Sequence, residues 1–236
     1  MEELLPYMER FLNWAGTKIV GLLSHLMFTM DVVEQEKLPP GPKIFAANHP
    51  STTDPFVVLG YSRRKSRVMI KDVLFDVPVF GPYLNAAGHI SVQASNGRAA
   101  FERALNTLER GENVIIFPEG HVSPLGGGFW KARTGVARLA LETGAPVIPL
   151  GIHLDHSRIR LVTSKVKGAD EVGTWYLSGP YAITAGRAIH LDGSVDDREQ
   201  VMHSAERIMA HIVDLAHESR RRLEARRMIP ASAPTF

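Results

Sequence analysis

The sequence predicts an α/β fold, a mostly parallel central sheet flanked by helices, with an N-terminal amphipathic helical segment ahead of it. Three observations predict this. From Lys43 to Asp192, short apolar runs of four to seven residues alternate with segments of helical periodicity, as expected of buried strands joined by helices. Residues 1–31 instead repeat apolar side chains every three or four positions, marking one face of a helix. Between the two regions "KLPPGP", Lys37 to Pro42, reads as a linker or turn. The chain of 236 residues thus divides into a helical segment, 1–36, and an α/β domain, 37–236.

Taken in order, Leu4, Met8, Phe11, Ala15, Ile19, Leu22 and Leu26 lie on the apolar face of the first segment. That face either packs on the core or lies in a membrane interface, with Tyr7 and Trp14 at the boundary and Arg10 and Lys18 toward headgroups. Its most apolar run, Ile19 to Met30, has 12 residues and is interrupted by Ser24 and His25. A bilayer span needs about 20, so a simple transmembrane helix is not expected. The start, "MEELLPYMERFLNW", lacks the basic n-region of a signal peptide. Strands are predicted at 43–48, 67–70, 89–92, 113–118 and 146–152. "YAITA" and "AIHLD" (181–185 and 188–192) suggest a hairpin about Gly186. Helices are predicted over 54–62, 97–110, 131–143 and 196–227. The arginine-rich stretch "SRRRLEARR" reads as a solvated helix end favoured by the helix dipole, and "IPASAPTF" as a loose tail.

Composition narrows the chemistry. Hydrophobic residues make up 44%, enough for a sizeable core. A net charge of +2 is too mild to argue for a nucleic-acid partner. The chain has no cysteine, which excludes disulfides, thiolate metal sites and a cysteine nucleophile. "HLDH", His153 to His156, lacks a full ligand set, so no metal is expected. "GGG", Gly126 to Gly128, is not followed by the Lys-Ser/Thr of a phosphate loop.

Two motifs carry chemistry. In "AANHPSTTDPF", Ala46 to Phe56, Asn48 ends a strand and His49 precedes a proline that keeps it extended. Asp54 falls at a helix start, expected at the N-cap with Pro55 first in the helix. A turn of this length can return the carboxylate to the imidazole, where it would select the tautomer and stabilise an imidazolium. In "IIFPEGHVS", Ile115 to Ser123, a buried strand ends with Glu119 facing the sheet edge and Gly120 free to take a positive φ.

In this order the blocks resemble the glycerolipid acyltransferase family, including 1-acylglycerol-3-phosphate acyltransferases. The family pattern N-H-x4-D is met by Asn48, His49 and Asp54. It continues with the segment Lys71 to Val92, F-P-E-G at Phe117 to Gly120, and V-P-[VIL] near Val147 to Leu150. The likeness extends over roughly residues 38–190. It implies an O-acyltransferase that moves a fatty acyl group from a thioester, acyl-CoA or acyl carrier protein, to a hydroxyl of a lysophospholipid or related acceptor in phospholipid biosynthesis. It implies His49 as general base, Asp54 as its orienting partner, and Glu119 and Gly120 in acceptor binding. It also implies no cofactor and peripheral, monotopic attachment of residues 1–36 to the cytoplasmic face of the cell membrane.

The chain departs from the pattern in two places. Gln93 stands near where the family usually has an arginine, and His121 and Val122 follow Gly120 where it usually has Thr-Arg. A phosphate would then need other donors, with Lys71 and Arg133 foremost and Arg67, Arg98 and Lys131 also near. Otherwise the acceptor carries no such phosphate. An acyl-thioester hydrolase would use the same base, and a non-catalytic lipid-binding module would keep the groove without needing His49.

Overall fold

The computed structural model describes residues 26–62, 65–78, 80–166 and 168–228, together with Ala15 and Leu22. Its main sheet holds seven strands in the order β1-β9-β6-β2-β5-β3-β4. These are β1 (Phe28–Glu34), β2 (Ile44–Ala47), β3 (Ser66–Lys71), β4 (Ile90–Val92), β5 (Asn113–Ile116), β6 (Val147–Leu154) and β9 (Gly179–Ala185). From β6 to β4 every neighbouring pair is parallel. β9 runs antiparallel to β6 and parallel to β1. A separate antiparallel ribbon pairs β7 (Ile159–Val166) with β8 (Ala169–Tyr176).

β2 and β5 are buried at every position, as continuous apolar runs must be when both sheet faces are covered. Successive side chains alternate between two cores. Ile44, Ala46, Val114, Ile116 and Val147 face α3 (Gly97–Glu109), α4 (Gly135–Thr143) and α5 (Arg198–Met228). Phe45, Ala47, Ile115, Phe117 and Ile148 face α1 (Asp54–Tyr61), Tyr176 and Tyr181.

The α/β class holds, with four corrections to the element boundaries. The helix expected over 1–31 is seen at Ala15, Leu22, Leu26 and Met27 but gives way to β1 at Phe28. "FTMDVVE" pairs along its whole length with β9, so seven residues of the assigned helical segment belong to the sheet. Tyr7, Arg10, Trp14 and Lys18 lie outside the described residues, as does the tail 229–236. The hairpin about Gly186 does not form, because both edges of β9 are already occupied by β6 and β1. Ile189 bridges Val147 instead. The helix predicted from 131 begins at Gly135, leaving Lys131 to Arg133 in the loop. The arginine-rich end of α5 is tied down: Arg222 Nε lies 3.1 Å and Arg226 Nη2 3.2 Å from the carboxylate of buried Asp31 on β1. The β7–β8 ribbon and α2 (Phe80–Ala86) are elements that periodicity did not suggest.

Candidate active site

β2 and β5 are parallel neighbours with Ala46 opposite Ile116, so the segments leaving them emerge side by side at the carboxyl edge of the sheet. Buried Asn48 stitches the exit of β2 to β6. Its Nδ2 donates to Ile152 O at 2.9 Å and its Oδ1 accepts from Ile152 N at 2.7 Å. His49 comes next, its ring stacked on Phe117 with centroids 4.2 Å apart. Its Nδ1 lies 3.0 Å from Asp54 Oδ2.

Asp54 is fully buried. Its carboxylate accepts from Ser51 N and Ser51 Oγ, each at 2.7 Å, and from the Tyr181 hydroxyl at 2.7 Å. Burial first, and then the Asp54 charge, push the Tyr181 phenol well above its ordinary pKa, so it stays protonated and donates. Every other contact on Asp54 comes from a donor, so in the neutral ring Nδ1 carries the proton and Nε2 the lone pair. Nε2 has no hydrogen bond to any described residue, and the His49 side chain keeps 16% of its exposure.

Asp54 is the first residue of α1, one place inside the N-cap expected for it. Thr53 holds the cap position but makes no side-chain cap bond. Its Oγ1 donates to Tyr176 O at 2.9 Å. The carboxylate is therefore held by Ser51, Tyr181 and His49 and not by helix amides.

Glu119 also departs from expectation. It is buried, 1% exposed, and does not face outward. Its Oε1 accepts from His49 N at 3.0 Å and Ser123 Oγ at 2.7 Å, and its Oε2 accepts from Trp130 N at 2.8 Å. Ser123 N donates back to His49 O at 2.7 Å. A buried carboxylate needs such partners, and here they clamp the His49 backbone to the turn after β5. Gly120 has φ +71°, and a Cβ there would come within 2.4 Å of Arg133 Nε. The Arg133 side chain thus lies along the glycine, with Nη2 2.9 Å from His121 Nε2, while its backbone N donates to Pro118 O at 2.8 Å.

The structure therefore brings His49, Asp54, Glu119, Gly120 and Arg133 together. Lys71 ends β3 on the same edge, two strands from β2, and is paired with Glu171 at 3.0 Å. Arg67 is buried on Glu112 at 2.7 Å and on Ala87 O. Arg98 and Lys131 pair with Glu102 and Glu206. Of the five cations considered for a phosphate, Arg133 alone lies against the Glu119–Gly120 turn. Tyr181, Ser51, Ser123 and Trp130 were not anticipated. The N-H-x4-D and F-P-E-G spacings report only the groups within each turn.

Fold and site together define the class: an α/β protein with a His–Asp pair at the carboxyl edge of a mainly parallel sheet. Residues 29–153 match the family model described as Acyltransferase, and the chain belongs to that family. It is 30% identical over 145 residues to a 1-acyl-sn-glycerol-3-phosphate acyltransferase of Pseudomonas aeruginosa, covering 60% of this chain and 53% of the relative. It is 27% identical over 184 residues to a protein of the same name from Cocos nucifera, covering 76% and 56%. The chain thus spans about half the length of these curated relatives. The crystal structure of the 1-acyl-sn-glycerophosphate (LPA) acyltransferase PlsC from Thermotoga maritima superposes with a TM-score of 0.62. It shares 20% identity, and the match covers 92% of this chain and 81% of that one, which establishes the shared fold.

Proposed function

We propose that this protein transfers a fatty acyl group from an acyl thioester to a hydroxyl of a lysophospholipid or related glycerolipid acceptor. The observation that carries the reading is the His49–Asp54 contact of 3.0 Å, with Asp54 otherwise filled by donors and His49 Nε2 without a hydrogen-bond partner among the described residues. The acceptor hydroxyl gives its proton to Nε2 as its oxygen attacks the thioester carbonyl. Asp54 stabilises the imidazolium that forms. The tetrahedral oxyanion collapses by breaking the carbon–sulfur bond, and the imidazolium returns the proton to the thiolate. A thioester is already activated, so no acyl-enzyme on a serine or cysteine is needed.

Glu119 acts in this scheme as a positioning residue, holding the His49 backbone through 3.0 Å of hydrogen bond. Arg133, lying on Gly120, is the donor proposed for an acceptor phosphate in place of the arginines missing at Gln93 and Val122. Lys71, engaged by Glu171, serves in second place. The donor thioester is acyl-CoA or acyl carrier protein, and the product enters phospholipid biosynthesis. Among the described residues no helix is long and apolar enough to cross a membrane. The proposed location is peripheral, on the cytoplasmic face of the cell membrane, with residues 1–27 in contact with lipid.

The test is thiol release by purified protein with lysophosphatidate, glycerol 3-phosphate and non-phosphorylated lyso-lipids as acceptors. Acceptor-dependent release is expected. His49→Ala should lower it by about 10³-fold or more while leaving the fold intact. Equal release with and without acceptor would instead identify a thioester hydrolase. Full activity in His49→Ala would overturn the catalytic role.

A further inference from the structure

We infer that the β7–β8 ribbon is a second lipid-docking element, which seats on the membrane surface directly beside the His49–Asp54 turn. The inference rests on the lipid-acceptor reading above and adds the surface through which the lipid is met.

The ribbon is strapped across the carboxyl edge. Tyr176, at the end of β8, packs against Phe28 and Tyr181 with centroids 5.8 and 6.2 Å away. In mid-strand, Thr52 N donates to Thr174 O at 2.7 Å, and Thr174 N donates to Thr52 Oγ1 at 2.8 Å. Toward the other end, Glu171 holds Lys71 at the end of β3. The ribbon therefore runs from β9 to β3 and is hydrogen-bonded to the loop between His49 and Asp54.

Both of its faces expose apolar side chains. Leu161 and Val172, each 59% exposed, share the face that carries Thr174 and Tyr176, and Val162, 43% exposed, lies on the other face. Leu177, 47% exposed, follows β8. A two-stranded ribbon has no core of its own to bury such groups, and clustered apolar exposure marks an interaction surface. The patch continues into the N-terminal segment. Leu26 and Met27 are exposed and immediately precede Phe28, which is paired with Gly179, two residues beyond Leu177. Of the eleven exposed large apolar side chains among the described residues, nine lie on segments that enter or leave this edge. Val32 and Met202 are the other two.

Charge and aromatic placement favour a bilayer as the occupant. On the ribbon's other face Arg160 is exposed and sits across from Trp175. Arginine and tryptophan on the face of exposed Val162 suit the boundary between acyl chains and anionic headgroups. The proposed acceptor is itself a component of that surface.

The absence of cysteine from the chain makes single-site labelling direct. Val172→Cys carrying a polarity-sensitive nitrobenzoxadiazole label is mixed with vesicles of phosphatidylglycerol and phosphatidylcholine. The emission should shift to the blue and be quenched by nitroxide-bearing lipid, while the same label at Met202→Cys should not respond. A Val172 label that stays in water while the protein sediments with the vesicles would overturn the inference, because the N-terminal segment would then dock alone. In a second arm, Leu161→Glu/Val172→Glu should transfer about tenfold less acyl group to a vesicle-borne acceptor and keep its rate on a short-chain, water-soluble acceptor. Equal loss on both acceptors would assign the ribbon to site architecture and overturn docking. Failure of the acyltransfer reading would appear separately, as no thiol release by the unaltered protein on any acceptor.

Discussion

At the candidate site, the proposed chemistry turns on how completely one carboxylate is satisfied. Asp54 receives Ser51 N, Ser51 Oγ, Tyr181 Oη and His49 Nδ1, all within 3.0 Å. An asparagine at 54 would turn an amide N–H toward donors and remove the acceptor that fixes the His49 tautomer. Asp54→Asn is expected to lower kcat by about 10³-fold or more with the chain still folded. Tyr181 touches no reacting atom in this scheme and acts through Asp54, so Tyr181→Phe should cost about tenfold in kcat with KM little changed. The diagnostic readout is coupling. In the Asp54→Asn background, Tyr181→Phe should have almost no further effect, whereas a merely structural tyrosine would give additive losses. None of this is visible in local spacing, since Tyr181 is 127 residues from Asp54 and only the antiparallel return of β9 brings it there.

Among the elements, the contact between β6 and α5 sets the tightest constraint. Gly151 lies in the middle of β6, and a Cβ there would sit 2.1 Å from both Ala216 N and Leu215 C of α5. The helix backbone rests directly on the strand, and Ser219 Oγ donates to Gly151 O at 2.8 Å. Glycine in "VIPLGI" is thus a close-approach residue. Gly151→Ala must push a helix of 31 residues off the sheet. It should cost about 3 kcal/mol or more, read as a lowered urea midpoint, and a midpoint within error of the unaltered protein would refute the contact. The buried strands of the parallel region were legible because each is a short apolar run with no alternation. β1 was not, since its residues extend the three- and four-residue spacing of the preceding helix. What commits them to the sheet is pairing with β9 and the hold of Arg222 on Asp31, both remote in sequence. The ribbon escaped notice for a related reason: six consecutive residues of β7, Arg160 to Lys165, are exposed, so no apolar run marks the strand.

Over the whole molecule, the sheet order assembles a site from turns that are each readable alone, while the contacts between them follow from topology. The same topology buries a titratable group far from the proposed chemistry, and that group ties stability to pH. His89, just before β4, is 2% exposed. Val68 N donates to its Nδ1 at 3.2 Å, so a proton on Nδ1 would face an N–H. Burial first, and then the neighbouring Arg67 guanidinium, lower its pKa from 6.5 to about 4. Between these values the unfolded chain binds a proton that the folded chain refuses. The stabilisation is therefore complete above about pH 6.5 and is lost as pH falls toward 4, amounting to about 3 kcal/mol. Glutamine at 89 can still accept from Val68 N but does not titrate. The stability of His89→Gln, measured by urea unfolding from pH 7 to 4, should therefore fall less steeply than that of the unaltered protein. The gap between the two curves should change by about 3 kcal/mol across this window and stay constant above it. Parallel curves would mean that His89 takes up its proton in the folded state at the same pH as in the unfolded chain, against the geometry at Val68.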